Sequence, residues 1–216
     1  MAKFNLSKGE RFNLSKHERG TLQKVKIEMG WKVNQDPNGP DFDLDVSAFM
    51  IGNDFKIVDD SCFVFYGSDY KEQASDGLVR PYSLDKALYG AVDNQGNDDE
   101  EDNDGVATED MLFDLSNVNK HVEQIIIAVT ICKFPHDKNK DRRTLLLNYG
   151  MVQDCYIKIL NDKNNEEILR YNLTEKFGEE DVVEFGRLFR LGNEWEFEAL
   201  GRGFQGSLPA LIEQYT

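Results

Sequence analysis

Apolar and polar residues alternate with a period of two through most of this chain, which is the pattern of β-strands buried on one face. Val25, Ile27, Met29, Trp31 and Val33 alternate with Lys26, Glu28, Gly30 and Lys32. In the stretch DFDLDVSA, Phe42, Leu44, Val46 and Ala48 fall on one face, while Asp41, Asp43, Asp45 and Ser47 fall on the other. Trp195, Phe197 and Ala199 alternate with Glu194, Glu196 and Glu198. The β-branched run from Val122 to Phe134 has no polar face and predicts a central strand.

Shorter pieces fill the rest of the chain. The segment FNLSK occurs at Phe4 to Lys8 and again at Phe12 to Lys16, predicting a hairpin or a strand bent at Gly9. Phe55 to Val58 and Cys62 to Gly67 read as two strands of a hairpin, followed by a turn at Ser75-Asp76-Gly77 and a possible short helix near Leu84 to Tyr89. MLFDLSNV, CYIKILN, EEILRYNL and VVEFGRLFRLG read as further strands, PHDKNKDRRTLLLNYG as a polar crossover, and SLPALIEQY as one closing helix. Many short strands separated by turns, with little helix, indicate an all-β protein, a β-sandwich of two mainly antiparallel sheets with a short C-terminal helix.

Charge changes the picture in one place. The chain of 216 residues has a net charge of -15, and between Lys86 and Lys120 there is no Lys or Arg but ten acids: Asp93, Asp98, Asp99, Glu100, Glu101, Asp102, Asp104, Glu109, Asp110 and Asp114. A stretch this rich in Asp, Asn and Gly turns sharply and can aim many oxygens at one point, as a hard cation such as Ca2+ requires. A block of like charges is more often a solvated segment or an interaction surface. The strand face bearing Asp41, Asp43 and Asp45 favours the metal. Carboxylates two residues apart on a strand lie roughly 7 Å from one another. Each such pair costs about 1–2 kcal/mol, a sign that a divalent ion reverses.

Other chemistries are excluded or weakly supported. The acidity argues against nucleic acid, since phosphate neutralisation needs clustered Lys and Arg, and partners should be cations or basic surfaces. Cys62, Cys132 and Cys155 have no metal-site spacing and read as core residues, and His17, His121 and His136 are scattered. Glu100 to Gly105 resembles the first half of an EF-hand loop, but the twelfth position is Met111 where a glutamate is needed. HExxH, GxxxxGK[ST] and GxSxG are all absent. The N-terminus has no apolar signal-like core and no run of about 18 apolar residues occurs, so the expected location is cytoplasmic and not membrane-spanning. The length suits one large domain or two small ones.

The order of these pieces resembles the TerD family of tellurium-resistance and stress-response proteins. The resemblance is carried by the doubled Leu-Ser-Lys start, Met29-Gly30-Trp31, DFDLDVSAF (Asp41 to Phe49), FVFY (Phe63 to Tyr66), VEQIIIAVTI (Val122 to Ile131), FGRLFR (Phe185 to Arg190) and NEWEFEALGRGF (Asn193 to Phe204). It implies one domain over residues 1–216 with an acidic metal-loop insertion at about 85–110, no enzymatic activity, and Ca2+ as cofactor. It also implies other proteins of a stress-response complex as partners. Asp43 and Asp45 match the family's strand ligands, Asp93-Asn94 its first loop turn, and Asp98-Asp99-Glu100 its acidic ending. Val92 stands where the family has Gly, and Asp104 with Glu109 offers a second alignment for the same ending. The implied metal set is therefore Asp43, Asp45, Asp93, Asn94, Asp98, Asp99, Glu100, Asp104 and Glu109. A different reading needs no metal: the acidic stretch docks a basic protein partner and the rest is scaffold.

Overall fold

The computed structural model describes residues 3–17, 22–32, 43–92, 106–132 and 147–216. Fourteen strands and one helix are found there: β1 Phe4–Leu6, β2 Arg11–Asn13, β3 Lys24–Lys32, β4 Leu44–Ile51, β5 Phe63–Val64, β6 Lys71–Gln73, β7 Val79–Pro81, β8 Leu88–Tyr89, β9 Val106–Asp114, β10 Gln124–Ile131, β11 Gln153–Asn161, β12 Glu167–Asn172, β13 Val182–Leu191, β14 Glu194–Phe204 and α1 Ser207–Tyr215. One six-stranded sheet runs β1-β12-β11-β3-β9-β8 and the other β2-β14-β13-β10-β4-β5, with β6 and β7 forming a separate hairpin. Every pairing is antiparallel except β1 with β12. The all-β sandwich with a closing helix is as the alternation demands.

The alternation also sets what each sheet buries. Val25, Ile27 and Met29 of β3 face Val46, Ala48 and Met50 of β4 and Ile125, Ile127 and Val129 of β10 in one core between the sheets. The outer face of the first sheet carries ion pairs instead, Lys24 with Asp114, Lys32 with Asp154 and Lys158 with Glu28. The outer face of the second sheet is different. Phe49 and Ile51 of β4, Ile126 and Ala128 of β10 and Val182 of β13 form a second cluster beneath Leu211 and Tyr215 of α1. Strand β4 is consequently buried at every position, and its Asp face is no solvent face.

Of the two readings of the doubled FNLSK, the bend at Gly9 is the one found, at φ 81, so that β1 joins one sheet and β2 the other; three other local readings are corrected. Phe4 and Phe12 still meet, with ring centroids 4.8 Å apart. Phe55 to Val58 is a turn with a single bridge, Ile51 to Ile57, because Gly52 accepts from the Phe55 amide and closes the chain on itself. No helix forms at Leu84 to Tyr89. The Asp85 carboxylate accepts from Ser83 Oγ and from the Ala87 amide, a local turn that outcompetes helix and delivers β8. Finally, Val106 to Asp110 belong to β9, so Glu109 and Asp110 sit on a strand and not in a loop. Of the cysteines, Cys62 and Cys155 are buried and Cys132 is half-buried.

Gly201 tests how tightly the second sheet is fitted. It holds φ +53, and a Cβ there would lie 2.1 Å from the Tyr171 hydroxyl, which donates to Glu175. Gly201→Ala combines a left-handed backbone with overpacking and should cost about 2–4 kcal/mol. Gly9→Ala, where nothing lies within 4 Å of the added Cβ, should cost only about 1–2 kcal/mol of backbone strain. Chemical denaturation of both variants measures the difference.

Candidate metal centre

The acidic stretch lies between Val92 and Val106 in the sequence, and the described backbone on its two sides is held by one buried cation. Arg80 of β7, with its side chain only 3% exposed, donates from Nη1 to the Gly90 carbonyl at 3.1 Å and to the Asp110 carbonyl at 2.9 Å. Its Nη2 donates to Asp110 Oδ1 at 2.5 Å and its Nε to Asp76 Oδ2 at 2.8 Å. Burial is the largest single influence on Asp76 and opposes its charge, but the Arg80 hydrogen bond, the Leu78 amide and the Arg80 charge together outweigh it and leave the Asp76 pKa below the ordinary carboxylate range. Sequence reading saw a stretch without Lys or Arg. The counter-ion comes instead from the neighbouring hairpin β6–β7, whose turn is the Ser75-Asp76-Gly77 it had already marked.

Two of the nominated carboxylates, one on each sheet, are buried near these ends. Asp45 of β4 lies opposite Thr130 of β10 and is 8% exposed. Glu109 of β9 is 5% exposed. It reaches from the first sheet to the second, where its Oε2 accepts the Val46 amide at 2.9 Å. Strand β5 covers β4 only at Ala48 and Phe49, so Glu109 caps an amide that the short edge strand leaves open. Asp43 is half-buried, and its carbonyl accepts from the Cys132 amide at 2.7 Å. Asp93, Asn94, Asp98, Asp99, Glu100 and Asp104 lie outside the described residues.

Tyr149 shows the field that these acids create. It is buried, its hydroxyl donates to the Val129 carbonyl at 3.1 Å, and its pKa is raised well above that of a free phenol. Burial is the largest cause, followed by the charges of Cys155, Asp45, Asp181 and Glu109. Sequence reading missed Asp181. The Asp181 carboxylate accepts from the Gly206 and Ser207 amides at 3.0 and 3.1 Å and from Ser207 Oγ at 3.0 Å, capping α1 from 25 residues upstream. No local signal marks a cap so distant in sequence. Burial pushes the Cys62 thiol up to about 12 and that of Cys155 higher still, so both are protonated at neutral pH.

The donor chemistry fits a hard cation, because the nominated groups are all oxygen donors. Among the described residues no three His, Cys, Asp or Glu side chains converge to hold a metal. Asp43, Asp45 and Glu109 do not by themselves form such a group.

A TerD domain model matches residues 1–215. The chain is 34% identical to the tellurium resistance protein TerD of Serratia marcescens over 90% of its own length and 88% of that protein. It is 32% identical to general stress protein 16U of Bacillus subtilis, again over 90% and 88% of the two chains. Among solved structures it resembles SCO6318 of Streptomyces coelicolor A3(2), described as a TerD homologue, with a TM-score of 0.54 and 17% identity over 88% of this chain and 95% of that one.

Arg80 should be the most sensitive residue of this region. Arg80→Met leaves Asp76 without its cation and Asp110 with only Lys26, 3.8 Å away. Their exposures of 31% and 26% place the expected loss at about 2–4 kcal/mol, below that of a fully buried pair. Asp76 has its pKa depressed by folding, so its contribution is complete above the unfolded carboxylate value of about 4 and is lost as pH falls through the lower folded value. Melting curves from neutral pH downward should show the wild-type advantage over Arg80→Met narrowing below about pH 4.

Proposed function

The chain belongs to the TerD domain family of tellurium-resistance and stress-response proteins, and we propose that it acts there as a non-enzymatic, calcium-binding protein of the cytoplasm. The supporting observation is the burial of Asp45 and Glu109, from different sheets, near the two ends of a segment carrying seven further acids between Asp93 and Asp104. Burying carboxylates in one another's field opposes folding, and a divalent cation bound by oxygen turns that opposition into a binding energy. Asp43 and Asp45 would contribute from β4 and Glu109 from β9, with Asp93, Asn94, Asp98, Asp99, Glu100 and Asp104 completing the shell. Binding would charge-neutralise the stretch and fix it against the sandwich, presenting a surface to other proteins of a stress-response assembly. No helix among the described residues is long and apolar enough to cross a membrane.

The test is a thermal melt of chelator-stripped protein with Ca2+, Mg2+ or neither. Ca2+ at about a hundred times its Kd should stabilise the fold by about 2.7 kcal/mol, a rise of roughly 5–10 °C for a domain of this size. Asp43→Asn combined with Asp45→Asn should remove most of that rise, and Glu109→Gln part of it. An undiminished rise in the double variant would exclude the strand aspartates as ligands. No rise at millimolar Ca2+ would leave the acidic stretch as a docking surface for a basic partner, with salt-sensitive and chelator-indifferent binding.

A further inference from the structure

At the opposite end of α1 from Asp181, the turn after β4 holds Phe55 at φ 62 and leaves its ring 61% exposed. A bulky apolar residue favours neither the left-handed backbone nor water. The turn is nonetheless tied down. The Gly52 amide donates to the Lys56 carbonyl at 2.9 Å, Lys56 Nζ donates to the Gln214 carbonyl at 3.2 Å, and the Ile57 amide donates to the Tyr215 carbonyl at 2.8 Å. Strain kept in an anchored segment points to a use for the ring.

The ring borders a pocket of about 280 Å³ between the C-terminal end of α1 and the outer face of the second sheet. Ile51 and Ile126 give it apolar surface, Tyr215 a second ring, and Arg187 and Arg202 two guanidiniums. Arg187 is engaged at all three nitrogens: Nε and Nη2 lie 2.9 and 2.6 Å from Glu198 Oε2, and Nη1 lies 2.6 Å from Gln124 Oε1. Arg202 is engaged at one. Its Nη2 lies 2.7 Å from Oε2 of Glu184, a fully buried carboxylate whose Oε1 accepts from the Tyr215 hydroxyl. Glu184 thereby holds the guanidinium by charge, without a hydrogen bond to Oε2. Nη1 of Arg202, on a side chain 50% exposed, remains open.

We propose that this pocket binds a small organic carboxylate. The carboxylate would accept a charge-assisted hydrogen bond from Nη1 of Arg202, and an apolar body would lie on Ile51 and Ile126 between the rings of Phe55 and Tyr215. A monoanion is favoured over phosphate, because the two guanidiniums are already balanced by Glu184 and Glu198. The volume is near the lower end for ligand sites and suits a body the size of one aromatic ring. The pocket end of β4 lies six residues from Asp45, roughly 20 Å along the strand, so binding should not require the metal.

The test titrates the full chain, in chelator, with benzoate, benzyl alcohol and inorganic phosphate, using calorimetry and protein-observed NMR. Benzoate should saturate in the millimolar range and shift the resonances of Phe55, Ile126 and Arg202, and the other two should bind several-fold more weakly. Phe55→Gly relieves the positive φ, so it should melt at or above the wild-type temperature and yet lose several-fold in benzoate affinity. The proposal is overturned by absence of saturation, by equal binding of the alcohol or phosphate, or by unchanged benzoate affinity in a folded Phe55→Gly.

Discussion

Strand β4 is buried on both faces, and the rest of the molecule is arranged around that constraint. Its inner face, Leu44, Val46, Ala48 and Met50, closes the core between the sheets, while Phe49 and Ile51 lie under the terminal helix. An aspartate on such a strand has no bulk water beside it. Asp45 therefore carries a desolvation cost that its neighbours must offset, whereas the same residue on a half-exposed strand would be unremarked. The helix has a corresponding part to play. It is docked by its apolar residues, capped at one end by Asp181 and tied at the other through Tyr215 to Glu184.

Electrostatics divides the protein into two regimes. Over the outer face of the first sheet, acids and bases interleave in cross-strand pairs that are individually worth little. At the ends of the acidic stretch the balance is one-sided, and a single buried guanidinium satisfies two carbonyls and two carboxylates. The clamp fixes the described backbone on either side of the stretch but can neutralise only a small part of its charge. On the proposed function, that imbalance would give a cation its binding energy. It also separates the two proposed sites: one would gather oxygens for a hard ion, and the other would offer an arginine N–H to a carboxylate.

What sequence alone determined was the periodicity and its direct consequences. Alternation in β3, β4 and β14 named the inward residues, the β-branched run of β10 announced an interior strand, and the closing segment gave the helix. Those readings succeed because facing and burial follow from the two-residue repeat of an extended chain. The order of motifs was enough to place the family. Only the tertiary structure decided the rest, because each remaining feature joins residues distant along the chain. Arg80 meets Asp110 across thirty positions, Glu109 meets Val46 across sixty-three, and Asp181 caps a helix that begins at Ser207. Short-range rivals settled the failures: the Asp85 turn defeated a helix and the Gly52 turn a strand. Hydrogen bonds within a few residues form without the fold, but a period gives no account of them. Contacts between sheets require the fold, and a sequence pattern cannot say which residues will be brought face to face.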